Sequence, residues 1–190
     1  MKDIVILGGP NGAGKTTAAE LLLPHRLRIH AFLNADEIAR SISPDNVEGV
    51  AFAAGRVMIE RMRDMVRDHQ SFAFETTCAG KSYLRLLREC RKAGWRVSLI
   101  YLWLPSPEYS IVRVAKRVSQ GGHHIPDDVI RRRFQAGLWN MRHLYLPLAD
   151  DATIYDNRDR GLRLIARRAP NSPLSVHDTE IWAKIEEETR

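Results

Sequence analysis

Eight consecutive residues, Gly9-Pro10-Asn11-Gly12-Ala13-Gly14-Lys15-Thr16, carry the spacing G-x-x-x-x-G-K-[ST]. Glycines at these positions let the backbone curl so that successive N–H groups point inward at phosphate oxygens. A helix starting at the end of the loop adds the positive end of its dipole. Lys15 is expected to reach the β- and γ-phosphates of a nucleoside triphosphate, and the Thr16 hydroxyl to ligate Mg²⁺. Residues Gly9 to Thr17 are therefore the expected ATP contacts. An apolar strand precedes them and a helix-forming run follows, which is the context this loop requires. An incidental match in a chain of this length is on the order of one in a hundred.

Two carboxylates stand where chemistry on a second substrate would need them. Asp36 follows a short apolar run, at the end of a strand where the carboxyl ends of parallel strands converge on a ligand crevice. There it can accept the proton of an attacking hydroxyl. The alternative is an N-cap for a helical segment over 37–41, with Glu37 in its first turn. Glu75 ends the apolar run Phe72-Ala73-Phe74 and precedes Thr76, Thr77 and Cys78. A carboxylate leaving a buried strand is costly unless it binds Mg²⁺, water or substrate, or is held by structural hydrogen bonds. Glu75 is thus a candidate both for the metal, with Thr16, and for the acceptor, with Asp36 and Thr77. Cys78 reads as a small spacer.

Phosphoryl transfer gains from cations that close over the phosphates and exclude water. Arg113, Arg117 and Arg131–Arg133 flank the loop Gly121-Gly122-His123-His124, a helix–loop–helix arrangement suited to a lid hinged at the two glycines. With Ile130 at zero on the helical wheel, Arg132 falls at about 200° and Arg133 at about 300°. Arg132 therefore points away from the packed face, and Arg117, Arg132 and Arg133 are the favoured catalytic cations. His123-His124 lacks a companion ligand at useful spacing and reads as loop, not metal site. The basic run Arg56–Arg67 is interleaved with Glu60, Asp64 and Asp68, a salt-bridged helix face.

Positioning these groups requires an α/β fold with a mainly parallel sheet, because short apolar runs alternate with amphipathic segments. Strands are expected at Asp3–Gly8, Ala31–Leu33, Ser71–Phe74, Arg96–Leu104 and Ala152–Tyr155. Helices are expected at Gly14–Leu23 (stopped by Pro24), Val47–His69, Tyr83–Ala93 with Gly94 as its cap, Pro107–Ser119, from Asp127 through Met141, and Thr179–Glu188. Gly161–Arg168 is a further strand or hairpin. The strong strand ending at Leu104 runs into Pro105-Ser106 and so lacks the acidic residue of a usual Mg²⁺-holding strand. No Asn-Lys-x-Asp or Leu-Ser-Gly-Gly-Gln motif is present, which argues against a GTPase and an ABC ATPase; a small kinase remains.

The chain has 190 residues, 44% hydrophobic and 27% charged, the size and composition of one globular domain. Of the 29 basic residues, 23 are arginine, against 23 acidic residues, giving a net charge of +6. Arginine favours bidentate recognition of phosphate and carboxylate, although a GC-rich genome accounts for the bias equally well. Two cysteines cannot form a disulfide framework or a four-cysteine zinc site. The start has no signal-peptide core, and the longest apolar stretch, Val97 to Leu104, is far short of the ~20 residues of a membrane helix. A soluble, cytoplasmic protein is expected.

The stretches Gly8–Thr17, Leu33–Ala39, Ser71–Thr77, Tyr101–Leu104 with Ser106, Arg117-Val118 followed by Gly121-Gly122-His123, Ile130–Phe134 and Tyr155-Asp156-Asn157 resemble, in order, the zeta-toxin family of P-loop kinases. The resemblance is strongest to the short, standalone "predicted ABC-type ATPase" branch. It implies a P-loop NTPase three-layer sandwich with a helical lid at about 113–135, in one domain over 1–190. It implies an ATP- and Mg²⁺-dependent kinase acting on a small metabolite, in better-known zeta toxins a sugar hydroxyl of UDP-N-acetylglucosamine, with blocked peptidoglycan synthesis as the consequence. Carried over, Lys15 and Thr16 hold ATP and Mg²⁺, Asp36 is the base, and Glu75 with Thr77 borders the acceptor. The lid arginines clamp the phosphates, and Asp156-Asn157 lie near the adenine. Toxins that act on the UDP-sugar tend to carry a basic residue shortly after a Glu-Gly-Thr segment; here the first cation is Lys81. The resemblance also implies an antitoxin partner. A polynucleotide or RNA-end kinase, favoured by the +6 charge, and a regulatory ATPase without an acceptor are the alternatives. Nucleic-acid and membrane partners are not expected.

Overall fold

A computed structural model describes residues 2–22, 29–47, 49–159 and 161–190. The first strand, β1 (Asp3–Gly8), is buried along nearly its whole length, as expected of a strand covered on both faces. It feeds the glycine loop and then α1 (Lys15–Leu22); the expected stop at Pro24 lies outside the described residues. β2 (Ala31–Leu33) leads into α2 (Ala35–Ile42). The cap of α2 is Asn34, whose side chain accepts from the Asp36 amide at 2.8 Å. The capping alternative for Asp36 is thereby corrected: Asp36 is the second residue of the helix, and an amide side chain two positions earlier takes the orphan donor.

The next helix, α3 (Ala51–Arg67), starts four residues later than the periodicity indicates. The Asn46 side chain accepts the Gly49 amide at 3.1 Å, a local turn that competes with helix. β3 (Phe72–Thr76) runs two residues further than expected, so Glu75 belongs to the strand, opposite Leu7 of β1. α4 (Leu84–Lys92) ends at Gly94 in the left-handed region, with Gly94 and Trp95 amides returning to Arg91 and Cys90 carbonyls. This is the expected glycine cap. β4 (Arg96–Trp103) follows.

Ser106 caps α5 (Pro107–Ser119), accepting from the Tyr109 amide at 3.2 Å, with Pro107 at the first helical position. α6 (Asp127–Asn140) continues through a π-helical segment, Met141–Tyr145, into the short α7 (Leu146–Leu148). β5 (Asp151–Asp156), β6 (Arg163–Arg168), β7 (Ser175–Val176) and α8 (Thr179–Glu188) complete the chain.

The sheet order is β2-β3-β1-β4-β5-β6-β7. The first five strands pair in parallel; β6 and β7 are antiparallel. Helices cover both faces. The order places β1 between β3 and β4, so the loop after β1 lies between the carboxyl ends of both neighbours. β4 ends without an acidic residue, whereas β3 carries Glu75 near its carboxyl end. A continuous core runs from β1 through Phe72, Phe74, Leu99 and Ile154 to Ile181 and Ile185 of α8. The α5–α6 pair keeps a separate small core of Val114, Ile125 and Ile130. Among the described residues no helix is long and apolar enough to cross a membrane.

Candidate functional site

The glycine loop closes around a Pro10 carbonyl that accepts the Ala13 amide at 3.2 Å. Gly12 and Gly14 have φ of +75° and +81°, a region other residues enter only with strain. Lys15 is 5% exposed; its Nζ donates to the Pro10 carbonyl at 2.9 Å and lies 3.5 Å from Glu75 Oε1. The Thr16 hydroxyl donates to Glu75 Oε2 at 2.9 Å, and the Asn34 amide donates to the same oxygen at 3.2 Å. One carboxylate at the end of β3 therefore gathers the loop lysine, the loop threonine and the cap of α2. Its charge is matched by one cation and two neutral donors, which makes a semi-buried carboxylate tolerable.

Two cavities flank this knot. The first, about 420 Å³, lies between the glycine loop, α2, α3 and the segment after β3. Asn11, Lys15, Asp36, Glu75, Thr77 and Arg133 all line it. Asn11 is 6% exposed, and its Oδ1 has no hydrogen-bond partner. At the mouth, the exposed Phe52 carries the Arg56 guanidinium 4.7 Å from its ring. Arg56 thus departs from the expected salt-bridged face of α3, whereas Arg67 keeps to it, pairing with Asp64 at 2.8 Å.

The second cavity, about 590 Å³, opens on the other side of the loop. Gly12, Gly14, Thr17, Arg117 and Asn157 line it, with the exposed apolar side chains Leu21 and Leu162. Asn157 is held there by donating Nδ2 to the Ala13 carbonyl at 2.7 Å. Its neighbour Asp156 is 1% exposed and bonds Arg158 Nε at 2.7 Å and Arg163 at 2.9 Å. Burial alone would raise this carboxyl, but hydrogen bonds from Arg163 and Arg158 outweigh it and hold it below the usual range.

The arginines divide between the cavities in a way the helical wheel could not set. Arg133, on the flank of the packed face of α6, faces the first cavity. Arg132 is exposed and lines neither cavity, and Arg131 is exposed and pairs with Glu108. Arg117 donates to the His123 carbonyl at 3.0 Å while lining the second cavity. Arg113 reaches the loop itself, donating to the Gly12 carbonyl at 3.3 Å and to the Arg158 carbonyl at 3.4 Å.

The Gly121-Gly122 pair, the expected hinge, ends α5. Gly121 has φ +87°; its amide returns to Val118 and the Gly122 amide to Arg117, at 2.9 Å each. This is a paired-hydrogen-bond termination of α5. Among the described residues no group of three or more His, Cys, Asp or Glu could hold a metal ion. The oxygen pair Thr16–Glu75 fits Mg²⁺ instead, because that ion takes one or two protein oxygens and completes its shell with phosphates and water.

The segment after β3 is fixed by residues the motifs do not include. A Cβ at Gly137 would meet the Thr77 carbonyl oxygen at 2.3 Å, so α6 rests its backbone directly on the strand exit. Asn140 is 3% exposed and donates to the Cys78 and Ala79 carbonyls at 2.9 and 3.0 Å. Tyr145 donates to the Gly80 carbonyl at 2.8 Å. Cys78 has φ +59° and is buried; burial, against a smaller pull from Lys15, pushes its thiol up to about 12. The one sequence signal for these contacts is a glycine and an asparagine inside an otherwise regular helix, both poor choices there without a packing reason.

The sequence model of the family described as Zeta toxin matches residues 1–169. An uncharacterized protein of Haemophilus influenzae is 29% identical over 126 residues, 66% of this chain and 88% of the relative. Among solved structures, a chain in the crystal structure of AvrRxo1-ORF1:-ORF2 with ATP is similar with a TM-score of 0.75 and 18% identity, over 100% of this chain and 65% of that one. The present chain thus spans less than two thirds of that relative's length. A chain of the PezAT chromosomal toxin–antitoxin system of Streptococcus pneumoniae is similar over 98% of this chain and 85% of that one, with a TM-score of 0.63 and 17% identity. At these identities the structural likenesses speak for the fold alone. With the match over residues 1–169, the glycine loop and the five-stranded parallel core around it, the chain belongs to the zeta-toxin family and has the fold of the P-loop kinases.

Proposed function

We propose that this chain, as a single kinase domain over 1–190 with a lid at about 113–135, transfers the γ-phosphoryl group of ATP to a hydroxyl of a small metabolite. A nucleotide sugar, UDP-N-acetylglucosamine first, is the acceptor class to test. The observation that carries the reading is a pair of cavities on either side of the glycine loop, one lined by Thr17, Arg117 and Asn157 and the other by Lys15, Asp36, Glu75 and Thr77. A kinase needs such a two-sided site, whereas a nucleotide switch has no use for the second side.

In this reading the adenine lies between Leu21 and Leu162, and Gly9, Pro10, Asn11, Gly12, Ala13 and Gly14 present the loop to the phosphates. Lys15 leaves Glu75 to neutralise the β- and γ-oxygens. The acceptor oxygen attacks the γ-phosphorus, the bond to the β–γ bridging oxygen breaks, and the acceptor proton passes to Asp36. Thr16 and Glu75 hold Mg²⁺, which when bound offsets the phosphate charge. Arg117 and Arg133 approach from the lid on either side of the transferred group. The Arg56–Phe52 pair at the mouth offers a cation and a flat apolar surface, suited to a diphosphate carrying a ring. Arg132, being exposed, has no role in this geometry.

Incubation with γ-labelled ATP and UDP-N-acetylglucosamine tests the reading: label on the sugar nucleotide is expected. Label appearing as free phosphate only, with a pool of nucleotide sugars and cell metabolites present, overturns it in favour of a regulatory ATPase. The +6 charge keeps an RNA-end acceptor as the second reading; a steep salt dependence of acceptor binding selects it. Family membership supports a toxin with an antitoxin partner. Growth arrest on expression, relieved by Asp36→Asn, is the corresponding result.

A further inference from the structure

The family match ends at residue 169, yet the chain continues into β7 and α8, and the end of α8 is bonded to the machinery described above. Arg142, in the π-helical segment after α6, donates to the Glu186 carbonyl at 3.3 Å, to Glu186 Oε1 at 3.0 Å and to the Thr189 hydroxyl at 3.0 Å. His143 Nε2 lies 2.8 Å from the Thr189 carbonyl, which makes that nitrogen the donor. Thr189 is fully buried, and its hydroxyl returns to the Ile185 carbonyl at 2.6 Å. An α-helix interrupted by a π-turn is a local departure from regular geometry that needs external contacts to hold it. Here those contacts come from the last turn of the chain.

The opposite side of the same few residues grips the segment after β3. Asn140 holds the Cys78 and Ala79 carbonyls, Tyr145 holds the Gly80 carbonyl, and Lys81 sits 5.8 Å over the Trp139 ring. Trp139 in turn stacks on His143, ring centres 4.6 Å apart. A continuous chain of contacts therefore runs from Thr189, through Arg142 and His143, to residues 77–81 on the wall of the first cavity. Through Cys78, whose thiol faces the Gly9 amide, these contacts touch the first residue of the glycine loop.

We infer that the end of α8 positions the acceptor half of the site: Arg142 and His143 are positioning residues that hold residues 77–81 in register through the π-helical segment. The inference rests on the first cavity being the acceptor side, as proposed above. It makes the end of α8 a point at which a partner would alter acceptor use while leaving nucleotide binding intact.

Amide hydrogen exchange on the full chain tests this without an acceptor. Arg142→Ala and Thr189→Val are expected to raise exchange across residues 77–81 by about tenfold, the worth of a lost charge-assisted hydrogen bond. Exchange in residues 11–14 and the affinity for an ATP analogue should stay within about twofold, and Arg142→Lys, which keeps the charge toward Glu186, should restore part of the protection. Unchanged exchange at 77–81 in Arg142→Ala overturns the inference. So does a rise of equal size at 11–14, because that reports general loosening. Failure of label transfer in the wild-type protein would sink the kinase reading but would leave this exchange pattern standing, so the two failures are distinguishable.

Discussion

Two glycines inside helices, Gly55 and Gly137, should respond in opposite directions to one substitution. At Gly55 in α3 an added Cβ meets nothing within 4 Å. Gly55→Ala should therefore gain only the helix term, about 0.5–1 kcal/mol. At Gly137 the same methyl would sit 2.3 Å from the Thr77 carbonyl oxygen, whereas real Cβ contacts do not fall below 3.0 Å. α6 or the strand exit must move by roughly 0.7 Å, the difference between those two distances. Overpacking of this kind costs about 1–3 kcal/mol, which outweighs the same helix gain and leaves a net loss of about 1 kcal/mol. Urea unfolding measures both: the midpoint should rise in Gly55→Ala and fall in Gly137→Ala, with the slope unchanged in each. The displacement also moves Arg133 and loosens Asn140, so kcat should fall about 10- to 100-fold with ATP affinity unaltered. A Gly137→Ala protein as stable as the wild type and equally active would refute the packing argument.

Other expectations follow from the same geometry. Cys78, with its thiol pushed up to about 12 and no exposed surface, should resist alkylation at pH 8 in the native protein and react fully in urea; rapid native labelling would contradict its burial. The Asp156 carboxyl is held below its ordinary value, so its pairing stabilises the fold above about pH 3.9 and is lost as pH falls through the lower folded value. Asp156→Asn should accordingly cost about 1–2 kcal/mol at pH 7 in urea unfolding, because Arg158 and Arg163 reach water. A cost unchanged down to pH 2 would contradict this. Arg133→Ala should lower kcat about tenfold or more and Arg132→Ala less than about twofold, measured by label transfer; equal losses would return Arg132 to the site.

Much of the scaffold is legible in the sequence because its determinants are local. The limits of β1, β2, α5 and α8 follow from apolar runs, Pro107 at a helix start and a regular period. The glycine loop is legible for the same reason, since eight adjacent residues carry all of its chemistry. What escapes depends on partners far along the chain. Asn34 and Asp36 are equally good caps on paper, and only the geometry at β2 decides for Asn34. The angle of Arg132 on its helix is readable, but not the side on which the cavity lies. Gly137 and Asn140 owe their places to residues some 60 positions earlier, and the π-helical segment is bonded to the last turn of α8. The antiparallel turn of the sheet at β6 could be foreseen only as a strand or hairpin.

The most direct measurement follows the γ-phosphate in two proteins, wild type and Asp36→Asn, each given labelled ATP and nucleotide-sugar acceptor while ATP affinity is measured in parallel. Label on an acceptor hydroxyl is expected for the wild type, with transfer lowered by about 10²–10⁴ in Asp36→Asn and the same ATP affinity in both. Equal transfer by the two proteins, or loss of ATP binding in Asp36→Asn, would contradict this.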